Sequence, residues 1–106
     1  MKNNDLITDL YNCVAHCNYC AAACLGEENV EKMTSCINTD QICASICNAT
    51  AQLLSYGYKD VRKMVQQCHE ICQECAKECE QHKHDHCQKC AETCRKCAEA
   101  CAAYLN

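Results

Sequence analysis

Residues 87–101 read CQKCAETCRKCAEAC. Cysteine stands at Cys87, Cys90, Cys94, Cys97 and Cys101, so the steps alternate between three and four residues. That alternation is the spacing of one helix face. At about 100° of turn per residue the five sulfurs fall in one narrow stripe, and neighbours along it touch. In an ordinary bundle helix the stripe would be Leu, Ile and Val. Here it is thiol, and the helix predicted over residues 86–105 packs a core of sulfur.

Three further stripes share this design. A helix over 5–25 carries Leu6, Leu10, Cys13, Cys17, Cys20 and Cys24 on one face. A second, over 30–55, carries Met33, Cys36, Asp40, Cys43, Cys47, Ala51 and Leu54. A third, over 60–81, carries Val61, Val65, Cys68, Cys72, Cys75 and Cys79. Asn4 or Asp5, Asn29 and Asp60 are the expected N-caps, and Asp85 with Gln88 forms a capping box for the last helix. Gly26 is expected to end the first helix, and Gly57 to take positive φ in the turn after the second.

The chain also repeats. Cys13, Cys17, Cys20 and Cys24 map onto Cys68, Cys72, Cys75 and Cys79 with an offset of 55. Cys36, Cys43 and Cys47 map onto Cys90, Cys97 and Cys101 with an offset of 54, which also pairs Asp40 with Cys94 and Met33 with Cys87. The reading is two helical hairpins of one design, with a carboxylate and a thioether each standing for a thiol. Both can still ligate metal, the thioether suiting Cu(I) better than the carboxylate does.

Composition agrees. With 106 residues, the chain is expected to be a single domain, 1–106. Leu, Ile and Val total only 15, and Phe and Trp are absent. Such poverty would ordinarily point to disorder. Yet Pro is absent, Gly numbers two, and Ala, Glu, Lys and Gln favour helix. The signals are reconciled if the 16 Cys supply the core, since a free thiol packs as a small hydrophobe. A net charge of −4 without a basic block excludes a nucleic-acid partner, and no apolar run approaches a membrane span of about 18 residues. The N-terminal MKNNDLITDLYN has no apolar signal core or twin-Arg signal, so the expected compartment is the cytoplasm, where thiols stay reduced.

A secreted disulfide scaffold is the competing structural reading of 16 Cys. Such scaffolds are loop-rich. Here the Cβ atoms along each stripe stand about 5–6 Å apart, whereas a disulfide needs about 3.5–4.5 Å. The spacing suits a metal between sulfurs.

Four helices with short connections predict an all-α, antiparallel, up-down-up-down four-helix bundle. In the first and third helices the Cys lie toward the C-terminal end; in the second and fourth they begin near the N-terminal end. An antiparallel bundle brings these to one end, as a sulfur-lined interior roughly four turns or ~20 Å deep. The other end collects Leu6, Leu10, Leu53, Leu54, Val61, Met64, Val65, Tyr104 and Leu105 as an apolar plug.

Thiolates select Cu(I), Zn or iron–sulfur clusters. Zinc takes four ligands in separate tetrahedral sites, and 16 Cys would hold about four ions. That is the alternative reading, a zinc or general thiol buffer of the metallothionein type. Iron–sulfur ligation favours C-x2-C runs in loops, often followed by a Pro that this chain lacks. Cu(I) accepts two or three thiolates, and thiolates bridge ions, so a continuous wall of sulfur suits a chain of Cu(I). One Cu(I) cancels one thiolate, and the tube fills without accumulating buried charge. Capacity is then on the order of one Cu(I) per thiolate.

The motifs carry a resemblance. C-x3-C-x2-C-x3-C occurs at Cys13–Cys24 and again at Cys68–Cys79, an acid sits inside Cys36-x3-Asp40-x2-Cys43-x3-Cys47, and the His-rich connection His82-Lys-His84-Asp-His86-Cys87-x2-Cys90 precedes the last helix. Across nearly its whole length the chain resembles the cytosolic copper storage protein family, Cys-rich four-helix bundles. The resemblance implies Cu(I) storage in the bundle interior, uptake at the Cys-rich mouth and assembly as a homotetramer. Donation would call for a copper chaperone or a copper enzyme as acceptor.

The candidate ligands are thus the 16 Cys, with Asp40, His82 and His86. Asp40 is set against a surface acid on a slightly rotated helix. His82, His84 and His86 are set against a solvated polar loop; as ligands, they would capture Cu(I) and pass it inward. Met33 divides between a thioether ligand and simple packing. His16 and His69 lie off their stripes and are read as helix flanks or subunit contacts. No catalytic residue is expected, because neither an open coordination site nor a nucleophile beside a base is legible.

Overall fold

The computed structural model describes residues 1–106. Four long helices account for most of it: α1 Asn4–Leu25, α2 Thr34–Tyr56, α3 Arg62–Glu80 and α4 Asp85–Leu105. They form an antiparallel bundle with extents of 45 × 21 × 18 Å. Each helix packs against two neighbours around a square, α1 on α2 and α4, α3 on α2 and α4, and the diagonal pairs meet only through side chains in the interior. The two hairpins thus meet along two seams and enclose one long interior. No helix is long and apolar enough to cross a membrane.

The faces turned inward are those carrying Cys at three- and four-residue steps. The interior divides along its length. Leu6, Ile7, Leu10, Ala51, Leu54, Val61 and Val65 are buried in the apolar half, and Leu53, Met64, Tyr104 and Leu105 pack against it partly buried. Ile7 joins the expected set. Thr50 is also buried, and its hydroxyl donates to the carbonyl of Ile46 at 2.7 Å, satisfying its own polar group inside the helix.

The helix starts differ from expectation. No helix has a side-chain N-cap bond. α1 is preceded by Asn3 in the left-handed region at φ 61°, which Asn tolerates, while Asn4 and Asp5 lie inside the first turn. A 3₁₀ turn at Val30–Met33 precedes α2, which begins at Thr34, so Asn29 caps no α-helix. That turn brings Met33 to 3% exposure. Val61, not Asp60, holds the N-cap position of α3 and is buried at 4%. Gln88 does not close a box on Asp85; its side-chain amide donates to the carbonyls of Glu80 at 3.1 Å and His82 at 2.6 Å. Burying an apolar side chain is worth about 1.5–3 kcal/mol and a cap about 1, so packing of Met33 and Val61 decides where α2 and α3 start. At the other ends, Gly26 closes α1 with ordinary right-handed dihedrals, and Gly57 closes α2 at φ 75°.

Candidate metal centre

All 16 Cys are free thiols at 0–1% exposure, including Cys87 and Cys101 at the ends of their stripe. Each helix contributes because its inward face repeats at the helical period, and antiparallel packing interleaves the four faces. Two cross-sections take one ligand from every helix: Cys13, Cys47, Cys72 and Cys97 deep in the tube, and Cys20, Asp40, Cys79 and Cys90 nearer the mouth. Between them lie Cys13, Cys17, Cys43 and Cys94, then Cys17, Cys75, Cys90 and Cys94. Within each group the ligand atoms lie within 4.8 Å of one another.

Successive groups share members. Cys13 belongs to the first two, Cys17 and Cys94 to the next two, Cys90 and then Cys20 to those above. Close contacts within this series include Cys47–Cys68 at 3.2 Å, Cys43–Cys72 at 3.8 Å, Cys17–Cys94 at 3.7 Å and Cys36–Cys79 at 3.5 Å. Zinc sites with bonds of about 2.3 Å would set sulfurs at comparable separations, so distance does not discriminate between the metals. Cys13, Cys17, Cys20, Cys90 and Cys94 each serve two of these groups, an arrangement that suits thiolates bridging a chain of soft ions rather than a set of separate mononuclear sites.

Asp40 lies inside the ladder at 0% exposure. Its Oδ1 accepts from the thiols of Cys75 at 3.1 Å, Cys79 at 3.3 Å and Cys90 at 3.4 Å, and Oδ2 from Cys36 at 3.9 Å. Burial, with the neighbouring Cys90 and Cys75 thiols, pushes its carboxyl up to about 10. The surface-acid alternative is thereby removed.

At the mouth the three histidines part company. His86 Nδ1 lies 3.5 Å from Cys87, 3.6 Å from Cys20 and 3.8 Å from Cys24, completing a group of three sulfurs and one imidazole. Its Nε2 contacts Glu27 Oε2 at 2.8 Å. His84 Nδ1 reaches the same oxygen at 3.2 Å, and its ring stacks on that of His86. His82, expected as a ligand, has its Nε2 on Glu78 at 2.9 Å, just beyond the end of α3 at Glu80. Glu27 was not singled out in the sequence; its only signal was its place in the loop opposite the His-rich connection. His16 bonds the carbonyl of Asn12, and His69 that of Ala98, both outside the sulfur interior. Burial pushes the thiols of Cys24, to about 11, and Cys87 upward.

The profile of the copper storage protein family matches residues 1–106, the full length. The chain belongs to that family. Its fold superimposes on the Cu(I)-bound copper storage protein BsCsp3 of Bacillus subtilis with a TM-score of 0.95, at 32% identity and 100% coverage of both chains. A cytosolic copper storage protein from Streptomyces lividans, seen with five coppers, is 42% identical with a TM-score of 0.91, covering 94% of this chain and 88% of that one. The same protein loaded with 10 copper equivalents gives a TM-score of 0.92. A cysteine-rich protein of Bacillus subtilis strain 168, YhjQ, is 37% identical over 76 residues, 72% of this chain and 70% of its own length. Membership gives the sulfur ladder its chemical context: the relatives that share this bundle have been seen holding Cu(I).

Proposed function

We propose that residues 1–106 act as a single cytosolic storage domain that sequesters many Cu(I) ions on the thiolates of its interior. The observation that carries this is the unbroken sharing of sulfurs between successive ligand groups. The ligands are Cys13, Cys17, Cys20, Cys24, Cys36, Cys43, Cys47, Cys68, Cys72, Cys75, Cys79, Cys87, Cys90, Cys94, Cys97 and Cys101, with Asp40 within the tube and His86 at its mouth. His82 is left out, since Glu78 holds its ring. Copper enters at the His86 end, because the other end is closed by Leu10, Val65 and their neighbours. Each Cu(I) displaces a thiol proton, so the filled tube stays neutral. Catalysis plays no part in this reading: the interior is a set of saturating ligands. A homotetramer, and exchange with a copper chaperone or copper enzyme, belong to it through family resemblance.

The test is an anaerobic Cu(I) titration of the reduced protein against a chromophoric Cu(I) chelator, with zinc in excess. Storage predicts binding on the order of one ion per thiol, ahead of the chelator and unmoved by zinc. Saturation near about four ions with zinc competing would establish the thiol buffer instead.

A further inference from the structure

We infer that Glu27 is the positioning residue of the copper-capture site, holding the His86 ring so that its Nδ1 lone pair faces the sulfurs of Cys20, Cys24 and Cys87. The inference rests on the storage reading with uptake at the mouth, and names a residue that makes that mouth work. Glu27 carries no ligand atom into the sulfur group. It acts through His86.

The geometry is a carboxylate–imidazole–thiol relay. A carboxylate only accepts, so the 2.8 Å contact makes His86 Nε2 the N–H donor to Glu27 Oε2. In the neutral ring this leaves Nδ1 bare, 3.5–3.8 Å from the three sulfurs. An outer carboxylate that fixes the tautomer of a metal-binding imidazole in this way typically governs affinity by about 10–100-fold. Glu27 is itself well held. Its backbone N–H donates to the carbonyl of Cys24 at 3.2 Å, so the carboxylate is anchored to one of the three thiol residues it serves. His84 Nδ1 lies 3.2 Å from the same Oε2, and its ring stacks on His86 with centroids 5.4 Å apart.

The internal repeat shows that this corner is built and not incidental. The counterparts of Cys20 and Cys24 are Cys75 and Cys79, but those of His86 and Cys87 are Lys32 and Met33, and that of Glu27 is His82. The relay therefore exists only between α1 and α4. On the other side of the mouth Lys32 and Met33 stand where His86 and Cys87 do, and the imidazole present there, His82, turns to Glu78.

The experiment follows Cu(I) transfer from a chromophoric chelator complex to reduced protein by stopped flow, together with ¹⁵N–¹H NMR of the imidazoles; both Cu(I) and the apo protein are diamagnetic. Glu27→Ala is expected to slow the first phase about tenfold, with final capacity unchanged, and to move His86 from the Nε2–H tautomer to a mixture. Glu27→Gln, whose amide oxygen still accepts from Nε2–H, should recover much of the rate. Glu28→Ala removes a charge from the same loop at an exposed side chain and should behave as wild type. Wild-type rates and tautomer in Glu27→Ala would overturn the assignment. Equal slowing in Glu27→Ala, Glu27→Gln and Glu28→Ala would also overturn it, as electrostatic steering. A wild-type capacity near about four ions would instead overturn the storage reading, and the proposal with it.

Discussion

The thiol of Cys75 donates to Oδ1 of Asp40 at 3.1 Å, in an interior where that carboxyl has no contact with solvent. Burial first, then the neighbouring Cys90 and Cys75 thiols, raise the carboxyl to about 10, against about 3.9 in an unfolded chain. Between those values the native apo protein keeps a proton that the unfolded chain releases. Stability from this group is complete below about pH 4 and is lost as pH rises toward 10, with a slope of at most about 1.4 kcal/mol per pH unit. Reduced apo protein should therefore unfold at lower urea at pH 8 than at pH 5.5. Asp40→Asn should flatten that dependence. If the variant retains the full slope in urea melts with a thiol-free reductant, Asp40 is not its source.

His82 and His86 should separate in a loading assay. His82 is engaged with Glu78 at 2.9 Å, and His86 stands within 3.8 Å of three sulfurs. His82→Ala should load Cu(I) at the wild-type rate. His86→Ala should load more slowly, by about tenfold, and reach nearly the same capacity, since one ligand among many is removed. The measurement is stopped-flow transfer from a chelator; matched rates in both variants would show that His86 has no role in capture.

These two cases mark how far the sequence could be read. The positions of Cys13 through Cys101 were legible because a helix repeats every 3.6 residues, and hairpin connectivity then places all the thiols at one end. Asp40 was legible as an inward residue through its repeat partner Cys94. The N-cap positions of Met33 and Val61 were not, because local capping preference lost to burial in a bundle whose packing no local pattern describes. The contact of His82 with Glu78 was not legible for a similar reason: the wheel continues past Cys79, but α3 ends at Glu80. Glu27 was hidden because it meets His86 across 59 residues of chain, and no periodicity reports a loop-to-loop contact.

Cys17 and Cys94, with sulfurs 3.7 Å apart, both belong to two adjacent four-ligand groups. If thiolates bridge, removing this pair disables two neighbouring groups at once. Cys17→Ala with Cys94→Ala should lower Cu(I) capacity by more than the number of sulfurs removed. Cys24→Ala with Cys101→Ala, at opposite ends of the ladder, should cost no more than their own share. Far-ultraviolet circular dichroism should stay helical in both, since Ala suits helices. Equal losses in the anaerobic titration would mean isolated sites rather than a shared chain of ions.

Leu10 is the last apolar residue of α1 before the sulfur begins at Cys13, and it is fully buried. Leu10→Ala opens a cavity in the plug and should destabilise the apo protein by about 2–5 kcal/mol. Against a typical stability of about 5–15 kcal/mol, and with little other large apolar bulk in the core, that loss should lower the apo melting temperature markedly. The sulfurs are untouched, so Cu(I) capacity should equal that of wild type. Copper binds the native state and not the unfolded chain, and adds stability that grows with the logarithm of its concentration over Kd. The loaded variant should accordingly recover nearly all of the lost melting range. Anaerobic melts with and without Cu(I) decide the matter: a loss of capacity in Leu10→Ala would mean that the plug shapes the tube, and that the two halves of the interior are one cooperative core.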